Sequence, residues 1–270
     1  MTPKPDAAEI KKMVTDGYGE IARTGGSCCG PAGDCDNLSG ISFSKGYQQV
    51  DGYVPDADLG LGCGLPTEDA FIRPGETVLD LGSGAGNDVF IASTLVGPTG
   101  RVVGLDMTAD MVDRARENAA RLGRTNVEFV HGEIEDIPLE SAVVDLVVSN
   151  CVLNLVPDKD KAFAEIHRVL KPGGRFSISD VVLAGTLPPA LAEASLLYVG
   201  CVAGAQQEDE YLATVAAAGL VDVAVQKRRE ITLPDGVVEN VLGVEGAAAF
   251  AASGVKILSI TVTGRRAAGA

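Results

Sequence analysis

Six cysteines carry the most distinctive chemistry in this chain of 270 residues. Cys28, Cys29 and Cys35 stand close together, while Cys63, Cys151 and Cys201 come from widely separated segments. Thiols of this kind serve as soft ligands, catalytic groups or redox partners. A free cysteine is ordinarily just a small hydrophobe, but the contexts here point elsewhere. Gly62 and Gly64 bracket Cys63, Gly200 precedes Cys201, and Cys151 follows the apolar run of VVSNCVLNLVPDK. Flexible flanks of this type fit a ligand loop. A structural zinc site is a poor match, since no CxxC pair occurs and the adjacent Cys28 and Cys29 chelate a tetrahedral ion badly.

A second chemistry sits in VLDLGSGAG (78–86). An apolar strand enters a helix through Gly82, Ser83, Gly84 and Gly86, a turn that lets the backbone approach a ligand and presents the free amides of a helix start. Asp106 follows 20 residues beyond Gly86, at the end of the next strand, where a carboxylate can accept both hydrogens of a ribose diol. Asp80 narrows the choice of ligand. An anion there would repel a pyrophosphate, whereas it suits the amino or sulfonium side of a methionine moiety.

The elements around these residues read as an α/β fold. Apolar strands at 77–81, 101–106, 127–132, 143–150 and 175–183 alternate with helical patterns near 86–96, 108–123 and 158–170. Strict alternation predicts a doubly wound, mostly parallel sheet covered on both faces. Cys151, after the fourth strand, then falls at the carboxyl edge of the sheet, where open α/β folds bind ligands. An amphipathic helix is expected over 6–23, followed by an irregular segment over about 24–64. After residue 184 come helical patterns near 188–198 and 206–218, strands near 220–230 and 256–263, and a frayed RRAAGA tail.

Bulk properties limit the partners. A formal charge of −15 without a long Lys/Arg cluster argues against nucleic acid. No apolar run reaches the length of a membrane span, and the start lacks the apolar core of a signal peptide, so the expected location is the cytoplasm with no membrane partner. His131 and His167, the two histidines, fall at a strand end and inside a helix, and both read as structural.

DLGSGAG resembles the first motif of class I S-adenosylmethionine methyltransferases, and HRVLKPGGRFSISD (167–180) resembles a later one. The segments LGLGCGLP, GLDMT, HGEIEDIP, SNCVLNLVPDK, RVLKPGG, SDVV and GCVAGA, in this order, resemble arsenite methyltransferases, especially the bacterial form. The resemblance implies a Rossmann-like sheet of seven strands, with an N-terminal helix and cysteine-containing loop over 1–64, a cofactor core over 65–183 and, over 184–270, a substrate-capping region with the last strands of the sheet. It implies that the Gly82–Gly86 loop carries the methionine moiety, Asp106 the ribose and Met107 one side of the adenine, flanked by Gly132, Glu133 and Ile134. The Lys171-Pro172-Gly173-Gly174 turn would lead into the fifth strand.

The resemblance further implies that Cys63, Cys151 and Cys201 bind trivalent arsenic, with Cys29 or Cys28 joining the redox cycle and Cys35 a third candidate. The substrate would be arsenite or methylarsenite as a thiol conjugate, and an external thiol reductant of the glutathione or thioredoxin type would reset the enzyme. Many members carry a tyrosine two positions before the first of these cysteines, where this chain has Leu61. Asn150 could orient the cofactor or the substrate loop, or cap the loop before Val152. Two rival readings share the cofactor motifs or the thiols: a methyltransferase acting on carbon or oxygen of a small organic acceptor such as a quinone precursor, and a non-catalytic thiolate metal(loid) binder or sensor.

Overall fold

The computed structural model describes residues 6–24, 47–193, 202, 204–233 and 235–269. Cys28, Cys29, Cys35 and Cys201 lie outside the described residues. Seven strands form one sheet: β1 (Thr77–Leu81), β2 (Arg101–Asp106), β3 (Val127–His131), β4 (Val144–Asn150), β5 (Leu170–Ala184), β6 (Leu220–Ile231) and β7 (Lys256–Arg266). Their order is β3-β2-β1-β4-β5-β7-β6. The first five pair in parallel, while β7 lies antiparallel to both β5 and β6.

The period of two along each strand explains why helices cover both faces. Val78, Val102, Leu146 and Val148 pack with α2 (Asn87–Val96) and α3 (Ala109–Arg121). Leu79, Leu81, Val103 and Val147 pack on the other side with α4 (Lys159–Val169) and α6 (Glu208–Ala217). Between the last two lies the short α5 (Pro189–Glu193). Near the N-terminus, α1 (Ala7–Thr24) begins with a reciprocal cap: the Glu9 amide donates to Asp6 Oδ1 and the Asp6 amide to Glu9 Oε2, each at 2.9 Å. A third apolar cluster forms at the C-terminal region and contains Cys63, Cys151, Leu183, Leu191, Val202 and Ile257.

The structure departs from the sequence reading in three places. A helix, α7 (Asp235–Ala252), fills a stretch for which none is expected; its apolar residues follow no clear helical face and Gly243 breaks it at φ 71°. The Lys171-to-Gly174 turn lies inside β5 as an irregularity, because β4 pairs with Leu170 before it and Arg175 after it. The expected tail begins inside the sheet, since β7 runs to Arg266. Arg266 Nη1 donates to the carbonyls of His167, Arg168 and Leu170, and Arg265 pairs with Asp222, which holds the end of β7 in the sheet.

Candidate active site

The turn after β1 is shaped by contacts that leave no room for a side chain. Gly82 sits at φ 68°, and a Cβ there would lie 2.4 Å from Val152. The amides of Gly82 and Ser83 both donate to the Leu105 carbonyl, at 2.8 and 3.0 Å, which sets the turn against β2. Gly86 starts α2 at φ 99°, and its Cβ would meet Phe90 and Phe129 at 2.9 Å. Its role is therefore close packing of helix on strand, and it does not line the cleft.

That cleft encloses about 1110 Å³ including its open mouth. Asp80, Gly82, Ser83 and Gly84 border it on one side, and Asp106, Met107, Gly132 and Ile134 on another. Asp80 is buried, and burial together with the carboxylates of Asp88 and Asp106 pushes its pKa well above the usual range. Among the described residues no hydrogen bond satisfies its side chain. Ser83 Oγ is likewise buried without a partner among them. Asp106 accepts from the Gly84 amide at 2.9 Å and from the Thr108 amide at 2.8 Å, so it braces the glycine turn and the approach to α3 while leaving further lone pairs for a ligand.

Glu133 stands apart from the cleft. Its carboxylate is half exposed and pairs with Lys11 of α1 at 2.6 Å, whereas the buried Glu135 lines the cleft and also meets Lys11, at 3.0 Å. His131 Nε2 donates to the Met107 carbonyl at 2.9 Å, and His167 is held below its ordinary pKa by burial and by Arg266.

The two described cysteines are buried in one apolar cluster. Cys151 lines the cleft and adopts φ 63°, a left-handed conformation that costs a non-glycine residue about 1–2 kcal/mol. Its amide donates to the Ser179 carbonyl at 2.7 Å, which fixes the bend. Cys63 is fully buried in the same apolar cluster, with its carbonyl accepting from Ser259 Oγ at 2.6 Å and from Arg229 Nη2 at 3.1 Å. The flanking glycines do not lend flexibility. A Cβ on Gly62 would fall 2.6 Å from Asn150 Nδ2, and one on Gly64 would fall 2.5 Å from Ser179 Oγ, so both are glycine because two segments touch. Val202, next to Cys201 in the chain, is buried in that cluster too. Both thiols are near enough to Tyr211 to help raise its hydroxyl well above the usual range.

Sequence reasoning missed Tyr47 and Asp88. Tyr47 Oη donates to the Asp88 carboxylate, 2.7 and 2.9 Å from its oxygens, and both residues line the cleft. Asp88 carried a weak signal, as an acid in the first turn of α2, but that is equally an ordinary helix-dipole partner. Tyr47 lies in an irregular stretch with no pattern to reveal it. Leu61 lines the cleft as an aliphatic wall.

Residues 72–219, more than half of the chain, match the family model described as a methyltransferase domain. The chain belongs to this methyltransferase-domain family. The class I methyltransferase shows 43% identity over 245 residues to an arsenite methyltransferase of Halobacterium salinarum, covering 86% of this chain and 62% of that protein. It shows 38% identity to an arsenite methyltransferase of Aquipseudomonas alcaligenes, covering 67% of this chain and 54% of that one. The chain thus spans less than two thirds of the length of these curated relatives. A solved arsenic(III) S-adenosylmethionine methyltransferase from Chlamydomonas reinhardtii superimposes with a TM-score of 0.66 at 35% identity, covering 77% of this chain and 68% of that one. No helix among the described residues of this methyltransferase is long and apolar enough to cross a membrane.

Proposed function

We propose that this methyltransferase transfers a methyl group from S-adenosylmethionine to trivalent arsenic held by cysteine thiolates. One observation carries the reading: Cys63 and Cys151, from distant segments, share a buried cluster, and Cys151 also lines the cleft bordered by the glycine turn and Asp80. The similarity to proteins named as arsenite methyltransferases supports arsenic as the acceptor.

The cleft fits the methyl donor. Its carboxylate wall of buried Asp80 and Asp88 and half-buried Asp106 would repel a pyrophosphate and attract a cation, and Ser83 Oγ offers an unmatched polar atom. Asp80 would hold the amino-acid end, Asp106 the ribose hydroxyls, and Met107 and Ile134 the adenine. When bound, S-adenosylmethionine supplies a methyl carbon on a positive sulfur.

Soft trivalent arsenic prefers thiolates, and three of them leave a lone pair on the arsenic. Cys201 would complete the set. The arsenic–carbon bond forms as the methyl–sulfur bond breaks, its electron pair leaving with the donor's sulfur, so the arsenic is the nucleophile and no general base is needed. The arsenic is formally oxidised. Two thiolates that depart as a disulfide return two electrons to it, with Cys29, Cys28 or Cys35 as partner, and an external thiol reductant of the glutathione or thioredoxin type reopens the disulfide. The protein's contribution is alignment, for which orientation alone is worth roughly 7–11 kcal/mol. Arsenite or methylarsenite would arrive as a thiol conjugate in a reducing cytoplasm.

The test is incubation of the purified chain with arsenite, S-adenosylmethionine and a thiol reductant, followed by speciation of arsenic. Methylated arsenicals are expected from the unaltered protein and not from Cys63→Ser, Cys151→Ser or Cys201→Ser. Failure of the unaltered protein to methylate, or full turnover in the serine variants, overturns the proposal.

A further inference from the structure

Asn150, the last residue of β4, bonds both to the segment that carries Cys63 and to the Tyr47–Asp88 pair of the cleft. Its Oδ1 accepts from the amides of Cys63 at 3.0 Å and Gly64 at 3.2 Å. Its Nδ2 donates to the Gly64 carbonyl at 3.0 Å, to Asp88 Oδ2 at 3.3 Å and to Tyr47 Oη. Only one orientation of the carboxamide serves this set, because the oxygen faces donors and the nitrogen faces acceptors. The bonds also run in one direction. Cys63 N–H donates to Asn150, Asn150 donates to Tyr47 Oη, and Tyr47 O–H donates to Asp88 in the first turn of α2. Chains of this kind polarise one another, so a change at one end is felt at the other.

The two ends of the chain belong to different halves of the site. Asp88 and Tyr47 line the cleft beside Asp80 and the glycine turn, whereas Cys63 is buried among apolar residues of the third cluster. Space around the bridge is tight as well, since a side chain on Gly62 would strike the Asn150 carboxamide. A rigid-body shift of the Cys63 segment therefore cannot occur without moving Asn150, and a ligand that reorganises Tyr47 or Asp88 moves Asn150 too.

We infer that Asn150 is a positioning residue that couples occupancy of the cleft to the backbone carrying Cys63, so that a filled cleft raises the affinity of the thiols for trivalent arsenic. This inference rests on the function proposed above. Coupling of this kind is reciprocal, so arsenic must tighten the cleft's ligand by the same factor.

Equilibrium dialysis of arsenite under reducing conditions, with and without saturating S-adenosylhomocysteine, reads the coupling directly. The unaltered protein should bind arsenite about fivefold or more tightly when the cleft is filled, a ratio at the lower edge of ordinary coupling. Asn150→Ala should bind both ligands separately and show a ratio near one. Tyr47→Phe, which leaves the contact of Asn150 with Cys63 in place, should show a reduced ratio with little change in arsenite affinity alone, and it keeps the test decisive where the alanine variant does not fold. Equal arsenite affinity with and without S-adenosylhomocysteine in the unaltered protein, or an unaltered ratio in the folded variants, overturns the coupling and leaves the proposed function standing. An unaltered protein that binds no arsenite overturns both.

Discussion

The Tyr211 hydroxyl donates to the Asp180 carboxylate at 3.2 Å, and neither residue is more than 1% exposed. Burial pushes Asp180 up to about 7, only partly offset by its bonds from the Val181 amide and Tyr211 and by Lys159. The pair joins β5 to α6 beside the two buried thiols.

A carboxyl whose folded pKa lies above its unfolded value favours folding while protonated, and that contribution fades as pH rises through the folded value. Asp180 should therefore make the protein less stable between about pH 4 and pH 7, with little further change above. Asp180→Asn, which can keep the bond from the Val181 amide on its oxygen and pair with Tyr211 with the amide nitrogen now donating, should remove this part of the slope. Thermal melting of both proteins from pH 5 to 9 should show the variant gaining relative to the parent as pH rises and the gap levelling off above about 7. A gap independent of pH refutes the assignment.

Asp80→Asn should separate stability from binding. The variant loses the repulsion from Asp88 and Asp106 and the cost of burying a charge, so its Tm should rise. Its affinity for S-adenosylmethionine should fall about tenfold or more, near the 1.4 kcal/mol expected of one lost ionic contact. Calorimetric titration alongside a melting curve checks both signs, and unchanged affinity would remove Asp80 from the donor's site.

At position 151 the usual ranking of alanine over glycine should reverse. With φ at 63°, Cys151→Gly should be more stable than Cys151→Ala by about 1 kcal/mol, a Tm difference of roughly 2–4 °C for a chain of this size. Neither variant should methylate arsenite. Denaturant unfolding of the two would show equal midpoints if the left-handed bend relaxes freely.

Gly64→Ala should destabilise the protein by about 1–3 kcal/mol, because the new methyl would lie 2.5 Å from Ser179 Oγ and 2.6 Å from its Cβ. Replacing that neighbour should restore room. In a double-mutant cycle, Gly64→Ala combined with Ser179→Gly should cost less than the sum of the two single changes, measured by urea unfolding. Simple additivity would mean that the two segments do not press on each other.

Much of this molecule is written in local pattern. Alternating apolar strands and helices announced the parallel core, and the glycine turn followed by Asp106 marked the cleft, because period and turn chemistry are short-range properties of the chain. The stretch that forms α7 escaped notice for the complementary reason: its residues mark no apolar face. Which acid enters the cleft was also hidden, since Glu133 and Glu135 are alike in sequence and differ only in how the turn after β3 aims them at water or at the cleft. The cysteines could be singled out by type and by their glycine neighbours, yet the sharing of one buried cluster by Cys63 and Cys151 is a property of the folded chain. Contacts between residues as far apart as Cys63 and Asn150, or Gly64 and Ser179, arise only when the sheet brings distant segments together, and there the fold converts an apparently flexible loop into a tightly fitted one.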